Sequence, residues 1–229
     1  MMGRRGIVIA IDGPAGAGKS TVAKALARDL CLNYLDTGAM YRALALMAQR
    51  AGLGPGDGEE AARLGQGIKI DFEGQKVLLD GEDVSKEIRT LEIGELASAL
   101  SAFSSVRALL VARQKALVAE GGYTLEGRDV TTVVAPDANV KVYLTASLEE
   151  RAKRRHLELE ERGVPGDYGK VRKEMQVRDH RDITREDSPL TVAPGAVVIE
   201  TAGLTPDEVV EKIKALIPGG LTFTQPHRR

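Results

Sequence analysis

Residues able to bind phosphate lie near the amino terminus of this 229-residue chain, in a glycine-rich run that ends in a lysine and a hydroxyl. The run matches the pattern GxxxxGK[ST] and consists of Gly13, Pro14, Ala15, Gly16, Ala17, Gly18, Lys19 and Ser20, after which comes Thr21. In such a loop the backbone N–H groups turn inward and the positive end of the following helix adds to them, so the loop cradles a polyphosphate. Lys19 would reach the β and γ phosphates, and the Ser20 hydroxyl would hold Mg²⁺. We therefore predict a P-loop at 13–20.

Arginines indicate which kind of P-loop protein this is. The chain has no guanine-reading NKxD sequence and no apolar run that ends in an Asp-Glu pair, which disfavours both a GTPase and an ATPase. Eight arginines and three lysines lie between Arg151 and Arg185. Arg178, Arg181 and Arg185 have the spacing that places side chains on one face of a helix. A kinase needs cations around the migrating phosphoryl group and a lid that excludes water, so this region favours a kinase.

A second cluster follows a short apolar run and has the sequence DTGAMYR, residues 36–42. It places the hydroxyl of Thr37, the phenol of Tyr41 and the guanidinium of Arg42 at a predicted strand-to-helix turn. An arginine can form a bidentate pair with a phosphate, and a tyrosine can add a hydrogen bond. This cluster is predicted to bind the acceptor of the phosphoryl group.

A third cluster, Glu126-Gly127-Arg128-Asp129, follows another predicted buried strand. Arg128 suits a phosphate. Asp129 only accepts hydrogen bonds, which suits an amino group such as N4 of cytosine. The sequence thus predicts a further part of the acceptor site at this turn.

Apolar periodicity predicts the elements that must position these clusters. Buried strands are predicted at 7–11, 33–35, 123–125, 140–144 and 196–200, and helices at 19–30, 40–50 and 92–119, the last broken near 104–105. Two alternating runs at 68–72 and 76–79 predict a hairpin around Gly74, within an insert. Strands that alternate with helices predict an α/β fold with a doubly wound parallel sheet, which binds ligands at the carboxyl ends of its strands. All three clusters lie at those ends.

Composition limits the partners. The 32 basic and 33 acidic residues give a net charge of −1, so no global field attracts nucleic acid or an anionic membrane. No apolar run approaches the length of about 20 residues that a membrane span needs. The single cysteine, Cys31, suits a reducing cytoplasm and is interpreted as a small core residue. We expect a cytoplasmic monomer, because no exposed apolar seam is evident, and a disordered tail at 219–229.

Taken together, the motifs resemble those of bacterial-type cytidylate kinases, a family of nucleoside monophosphate kinases. The resemblance extends from Ile7 to about Leu216. It depends on IDGPAGAGKST, LDTGAMYRALAL, LDGEDVSKEIRT, EGRDVTTVV, ASLEERAKRR and RDHRDITRE. The P-loop alone identifies only a superfamily, whereas the second, third and fourth of these motifs together are specific. Thr131 departs from the family, which usually has glycine at this position.

The resemblance implies a role for individual residues. It implies that ATP is bound by Gly13 to Thr21 and covered by a lid that contains Arg154 and Arg155. It implies that the acceptor nucleotide is bound by Thr37, Tyr41, Arg42, Ser98, Arg107, Arg128, Asp129, Arg178, Asp182 and Arg185. Among these, Ser98, Arg107 and Asp129 would read the cytosine edge, and Arg178 and Asp182 would contact the sugar. Lys19, Arg128 and Arg185 would be the catalytic residues.

The implied reaction is transfer of the terminal phosphoryl group of Mg²⁺·ATP to CMP or dCMP. The implied layout is one kinase domain at 1–218, with a monophosphate-binding part at about 38–110, its insert at about 66–90, and a short helical lid at about 151–172. Two alternatives stay open on the residues alone. One is a kinase for another small acceptor such as UMP, AMP or a metabolite hydroxyl. Asp129 disfavours UMP, because the carboxylate only accepts hydrogen bonds and O4 of uracil cannot donate one. The other is a nucleotide sensor without turnover.

Overall fold

The computed structural model describes residues 6–74, 76–161, 163 and 166–219. Its strands are β1 (Val8–Asp12), β2 (Asn33–Asp36), β3 (Ile70–Glu73), β4 (Lys76–Leu79), β5 (Glu82–Asp83), β6 (Tyr123–Gly127), β7 (Val140–Thr145) and β8 (Val197–Glu200). Its α-helices are α1 (Lys19–Asp29), α2 (Thr37–Arg50), α3 (Gly58–Gly65), α4 (Leu91–Leu100), α5 (Ser104–Val118), α6 (Leu148–Glu161), α7 (Tyr168–Thr184) and α8 (Pro206–Lys214). The chain forms two compact units, Met1–Leu35 with Val118–Arg229, and Asp36–Leu117. The predicted tail lies outside the described residues, apart from Gly219.

The larger unit is built on a five-stranded sheet with the order β2-β6-β1-β7-β8. Strand β1 pairs in parallel with both β6 and β7, and β7 pairs in parallel with β8. The apolar run of β1 is buried, and Ile9 and Ile11 lie in one core with Leu26 of α1 and Ile213 of α8. The predicted parallel α/β fold is confirmed.

The smaller unit combines α2 to α5 with a three-stranded antiparallel sheet, β3-β4-β5. The predicted hairpin is confirmed, with Ile70 opposite Leu79 and Glu73 opposite Lys76. Helix α3 and the two-residue strand β5 were not predicted. The helix predicted at 92–119 is divided into α4 and α5. Among the described residues no single helix has the length and apolar composition of a membrane span, and α4 and α5 reach them only as a pair bent by 102°.

Two local details differ from the sequence-based expectation. Helix α2 begins at Thr37 rather than Met40, because the Asp36 side chain caps it by accepting a hydrogen bond from the Ala39 amide at 2.9 Å. The interpretation of Cys31 as a core residue is wrong. Cys31 is exposed in the turn after α1. Its φ of 52° lies in the left-handed region, so the chain leaves the helix at this residue and the side chain lies outside the core.

Candidate functional site

The P-loop joins the end of β1 to the start of α1 in the larger unit. Gly13 has a φ of +149°, and a Cβ there would lie 2.0 Å from the carbonyl oxygen of Leu144, so only glycine fits. Gly18 stands at the amino end of α1 in the left-handed region and offers the helix no side-chain cap. The first amides of α1 are therefore left to an external anion.

Lys19 is buried at the start of α1, and its Nζ donates a hydrogen bond to the carbonyl oxygen of Pro14 at 2.7 Å. Burial lowers the pKa of Lys19 to about 7, and the charge of Arg128 acts in the same direction, whereas Glu126 and Asp12 oppose it. The buried amine thus donates to a neutral carbonyl. A bound phosphate would supply the negative partner that Pro14 does not.

The turn after β6 brings Arg128 to the end of α7. Nε of Arg128 donates to Oδ2 of Asp182 at 2.9 Å, and Nη1 of Arg185 lies 3.7 Å from Oδ1 of the same carboxylate. Burial alone would raise the pKa of Asp182, but the charges of Arg128, Arg178 and Arg185 outweigh it and hold this pKa below its usual value. Asp182 is therefore ionised and buried, and its charge balances those of the three surrounding arginines.

Four residues that the resemblance implies thus lie together in the larger unit: Arg128, Arg178, Asp182 and Arg185. Arg185 reaches this cluster in a way that helical spacing did not predict. Helix α7 ends at Thr184, and Arg185 continues in extended backbone with φ −61° and ψ 144°. Its Nε donates to the carbonyl oxygen of Ser188 at 2.8 Å, which holds the side chain against Asp182.

Arg151 of α6 is a residue to which sequence reasoning gave no role. The residue is buried, and its Nη1 donates to the P-loop carbonyl of Ala15 at 3.0 Å and to Oδ2 of Asp179 at 2.6 Å. Its Nε donates to the carbonyl oxygen of Ala146 at 2.9 Å. One guanidinium therefore joins α6, α7 and the P-loop. The only signal in the sequence was its place in an arginine-rich run.

Two other arginines of α6, which the resemblance assigns to ATP, have protein partners here. Arg154 donates from Nη1 to the hydroxyl of Thr201 at 2.9 Å and from Nη2 to the carbonyl oxygen of the same residue at 2.8 Å. Arg155 pairs with Glu158 at 2.8 Å. Their role toward ATP stays a prediction.

The smaller unit carries its own set of predicted acceptor residues at the start of α2. Nη2 of Arg42 donates to Oδ2 of Asp36 at 2.8 Å. Nε of Arg42 is buried and has no hydrogen-bond partner among the described residues. The guanidinium of Arg107 lies over the ring of Tyr41, 5.7 Å from its centroid. The cation of Arg107 thus packs on the ring of the residue that precedes Arg42.

Three of the predicted acceptor residues in the smaller unit have buried polar side chains: Thr37, Ser98 and Arg107. Nη1 of Arg107 donates to the carbonyl oxygen of Ser101 at 3.4 Å.

Comparison with known proteins identifies the family. The family model described as cytidylate kinase matches residues 9–218. The chain belongs to the cytidylate kinase family. The cytidylate kinase of Caldanaerobacter subterraneus subsp. tengcongensis is 47% identical over 207 residues, which covers 90% of this chain and 92% of the relative. That of Geobacter sp. strain M21 is 48% identical over 216 residues, or 93% of each chain.

Solved structures support the fold of this cytidylate kinase family member. A gluconokinase from Sinorhizobium meliloti 1021 superposes with a TM-score of 0.50 at 14% identity, and the match covers 93% of this chain and 92% of the gluconokinase. At this identity the likeness shows the fold alone.

Proposed function

We propose that this protein catalyses in-line transfer of the γ-phosphoryl group of ATP to CMP and dCMP, giving CDP and dCDP. Membership of the cytidylate kinase family supports the acceptor. The observation that carries the proposal is the buried Lys19 in a P-loop, in the same unit as the cluster of Arg128, Arg178 and Arg185 around Asp182. A polyphosphate site and a second cationic site are what a transfer between two phosphates requires.

On the donor side, the backbone amides of 13–20 and the ammonium of Lys19 would bind the β and γ phosphates. Mg²⁺ fits the residues present, because Ser20 is exposed on the first turn of α1 and offers a hard oxygen ligand. The described residues contain no group of three or more His, Cys, Asp or Glu that could hold a metal ion. When bound, the ion neutralises charge that develops between the phosphates.

On the acceptor side, no general base is required. The nucleophile is an oxygen of the acceptor phosphate, which is largely ionised at neutral pH because the second pKa of a phosphate ester is about 6. Arg128 and Arg185 would hold this phosphate, while Asp182 keeps both guanidinium groups in place. Acceleration then comes from positioning and charge stabilisation rather than proton transfer.

The remaining residues set specificity and exclude water. We assign Thr37, Tyr41 and Arg42 to the acceptor phosphate, for which the unpartnered Nε of Arg42 is a ready donor. Ser98, Arg107 and Asp129 are assigned to the cytosine edge, and Arg178 and Asp182 to the sugar. Arg154 and Arg155 belong to a lid at about 151–172 that closes over ATP, and the insert at about 66–90 enlarges the monophosphate-binding part of a single domain at 1–218. The enzyme is proposed to work as a cytoplasmic monomer.

Asp129→Asn tests the assignment of the base. A carboxylate accepts from N4 of cytosine and repels O4 of uracil, whereas an amide also donates, so discrimination against UMP should fall. We expect the ratio of kcat/KM for CMP to that for UMP to drop about tenfold to a hundredfold, the scale of one hydrogen bond to a charged group. ADP release with each nucleotide measures this ratio.

The matched control is Asp137→Asn, the same chemical change on an exposed residue eight positions further along the chain. This variant should keep the wild-type ratio. An unchanged ratio in Asp129→Asn would remove Asp129 from the base site and favour a kinase for another acceptor.

A further inference from the structure

The carboxylate of Asp12, at the carboxyl end of β1, is completely buried. It accepts three hydrogen bonds from residues that are distant in the sequence. Its Oδ1 accepts from the amide of Val130 at 2.9 Å. Its Oδ2 accepts from the amide of Thr131 at 2.7 Å and from the hydroxyl of Thr131 at 2.5 Å. The contact joins the strand that leads into the P-loop to a segment that begins 118 residues later. We call these three hydrogen bonds the Asp12–Thr131 clamp.

The clamp fixes one end of the turn that carries the proposed acceptor residues. Strand β6 is paired with β1 as far as Gly127, which lies opposite Asp12 itself. Arg128 and Asp129 follow directly, and Val130 is the next residue to be tied down, by its hydrogen bond to Asp12. Arg128 and Asp129 are therefore held between two fixed points, the strand pairing at Gly127 and the hydrogen bonds of the Asp12 carboxylate.

Thr131 supplies two of the three donors of the clamp, its amide and its hydroxyl. Its side chain is buried, and its φ is not among the positive values of the described non-glycine residues, so the backbone accepts a Cβ without strain. A glycine here would keep the amide donor and lose the hydroxyl. The threonine therefore adds a third hydrogen bond rather than replacing one.

The protonation state of Asp12 controls the clamp. Burial raises the pKa of Asp12, whereas the hydroxyl and amide of Thr131 and the amide of Val130 lower it. Asp129 on the adjacent turn raises it, and Asp12 also interacts with Lys19 of α1 and with Tyr143 of β7. If Asp12 were protonated, one of its two oxygens would carry a hydrogen and would donate instead of accepting. The clamp supplies three donors, so it requires the ionised carboxylate.

We propose that Asp12 and Thr131 are positioning residues that hold the turn of Arg128 and Asp129 in its CMP-binding geometry. This inference rests on the proposed function for the roles of Arg128 and Asp129. In this proposal Asp12 and Thr131 bind no part of the nucleotide. They hold the turn, and the turn places Arg128 and Asp129 for the acceptor. The Thr131 hydroxyl thereby supports the preference for CMP.

The test compares Thr131→Val, which keeps the β-branched shape and removes the hydroxyl, with Thr131→Ser, which keeps the hydroxyl. We expect Thr131→Val to raise KM for CMP about tenfold, the scale of one lost hydrogen bond to a carboxylate, with KM for ATP unchanged. Because the hydroxyl lowers the pKa of Asp12, its loss raises that pKa. Activity of Thr131→Val toward CMP should therefore begin to fall at a higher pH than that of wild type as the pH is lowered. Thr131→Ser should match wild type in KM for CMP, in KM for ATP and in the pH dependence of activity.

Amide hydrogen exchange without substrate provides a readout that does not depend on turnover. Thr131→Val should show faster exchange at residues 127–131 and unchanged exchange in β1 and α1, while Thr131→Ser should match wild type. The inference is overturned if the two variants exchange alike, or if Thr131→Val impairs CMP and ATP equally with loss of thermal stability. Wild-type protein that does not phosphorylate CMP would instead overturn the proposed function, and the exchange result would still decide whether the clamp orders the turn.

Discussion

Lys19→Met should abolish phosphoryl transfer and leave the fold intact. Lys19 is the buried cation of the P-loop, and among the described residues the one hydrogen-bond partner of its Nζ is the neutral carbonyl of Pro14, at 2.7 Å. Without it, the loop loses the one charged side chain of residues 13–20 that can stabilise the transferred phosphoryl group, so kcat should fall by at least about 10³-fold. Methionine has a similar length and no charge to bury, so the unfolding temperature should equal or exceed that of wild type. ADP release and thermal unfolding followed by circular dichroism give the two measurements.

Lys24→Met is the matched control for this variant. Lys24 lies on the same helix, and its Nζ is placed 5.6 Å from the ring centroid of Tyr34. The change removes one positive charge from α1 without touching the P-loop, and kcat should stay within about twofold of wild type. Full activity in Lys19→Met would contradict the proposed role of the P-loop.

Of the proposed substitutions, Arg151→Met should lower the free energy of unfolding most. The change leaves the carboxylate of Asp179 in the interior without its cation, and Oδ1 of Asp179 has no hydrogen-bond partner among the described residues. Removal of one member of a buried ion pair typically costs about 3–5 kcal/mol. The carbonyl oxygens of Ala15 and Ala146 lose their donor as well. Urea unfolding should show a midpoint well below that of wild type with an unchanged slope.

Two comparisons isolate the cause. Arg172→Met removes an arginine from α7 whose pair with Glu149 is largely exposed, and it should change the unfolding midpoint little. Arg151→Met combined with Asp179→Leu removes both charges, so it should recover a large part of the lost stability. An Arg151→Met protein as stable as wild type would show that the three elements joined by this guanidinium are held by other contacts.

The P-loop could be predicted from sequence because its function depends on consecutive residues. Glycines with unusual backbone angles, a lysine and a hydroxyl at fixed spacing leave few alternatives. The strands were predictable for a similar reason, since runs such as 7–11 are apolar at every position and must be buried on both faces. Helix α3 and strand β5 were missed because one follows a glycine-rich segment and the other is two residues long.

Contacts between distant parts of the chain could not be predicted from local pattern. The carboxylate of Asp12 meets Val130 and Thr131 only because β1 lies beside β6 in the sheet. Arg128 meets Asp182 across 54 residues, and only the family resemblance pointed to Asp182. The error at Cys31 has a local cause, because the end of α1 turns left-handed at that residue and places it outside the core. Residue type indicated the chemistry, and the topology of the sheet supplied the partners.

The central claim is that the acceptor is a cytosine nucleoside monophosphate. It is tested most directly by measuring ADP release from Mg²⁺·ATP in parallel with CMP, dCMP, UMP, AMP, GMP and no acceptor. The account predicts rapid release with CMP and dCMP, and release with the other nucleotides close to the rate without acceptor. Equal release without any acceptor, or release with none of the nucleotides, would contradict it.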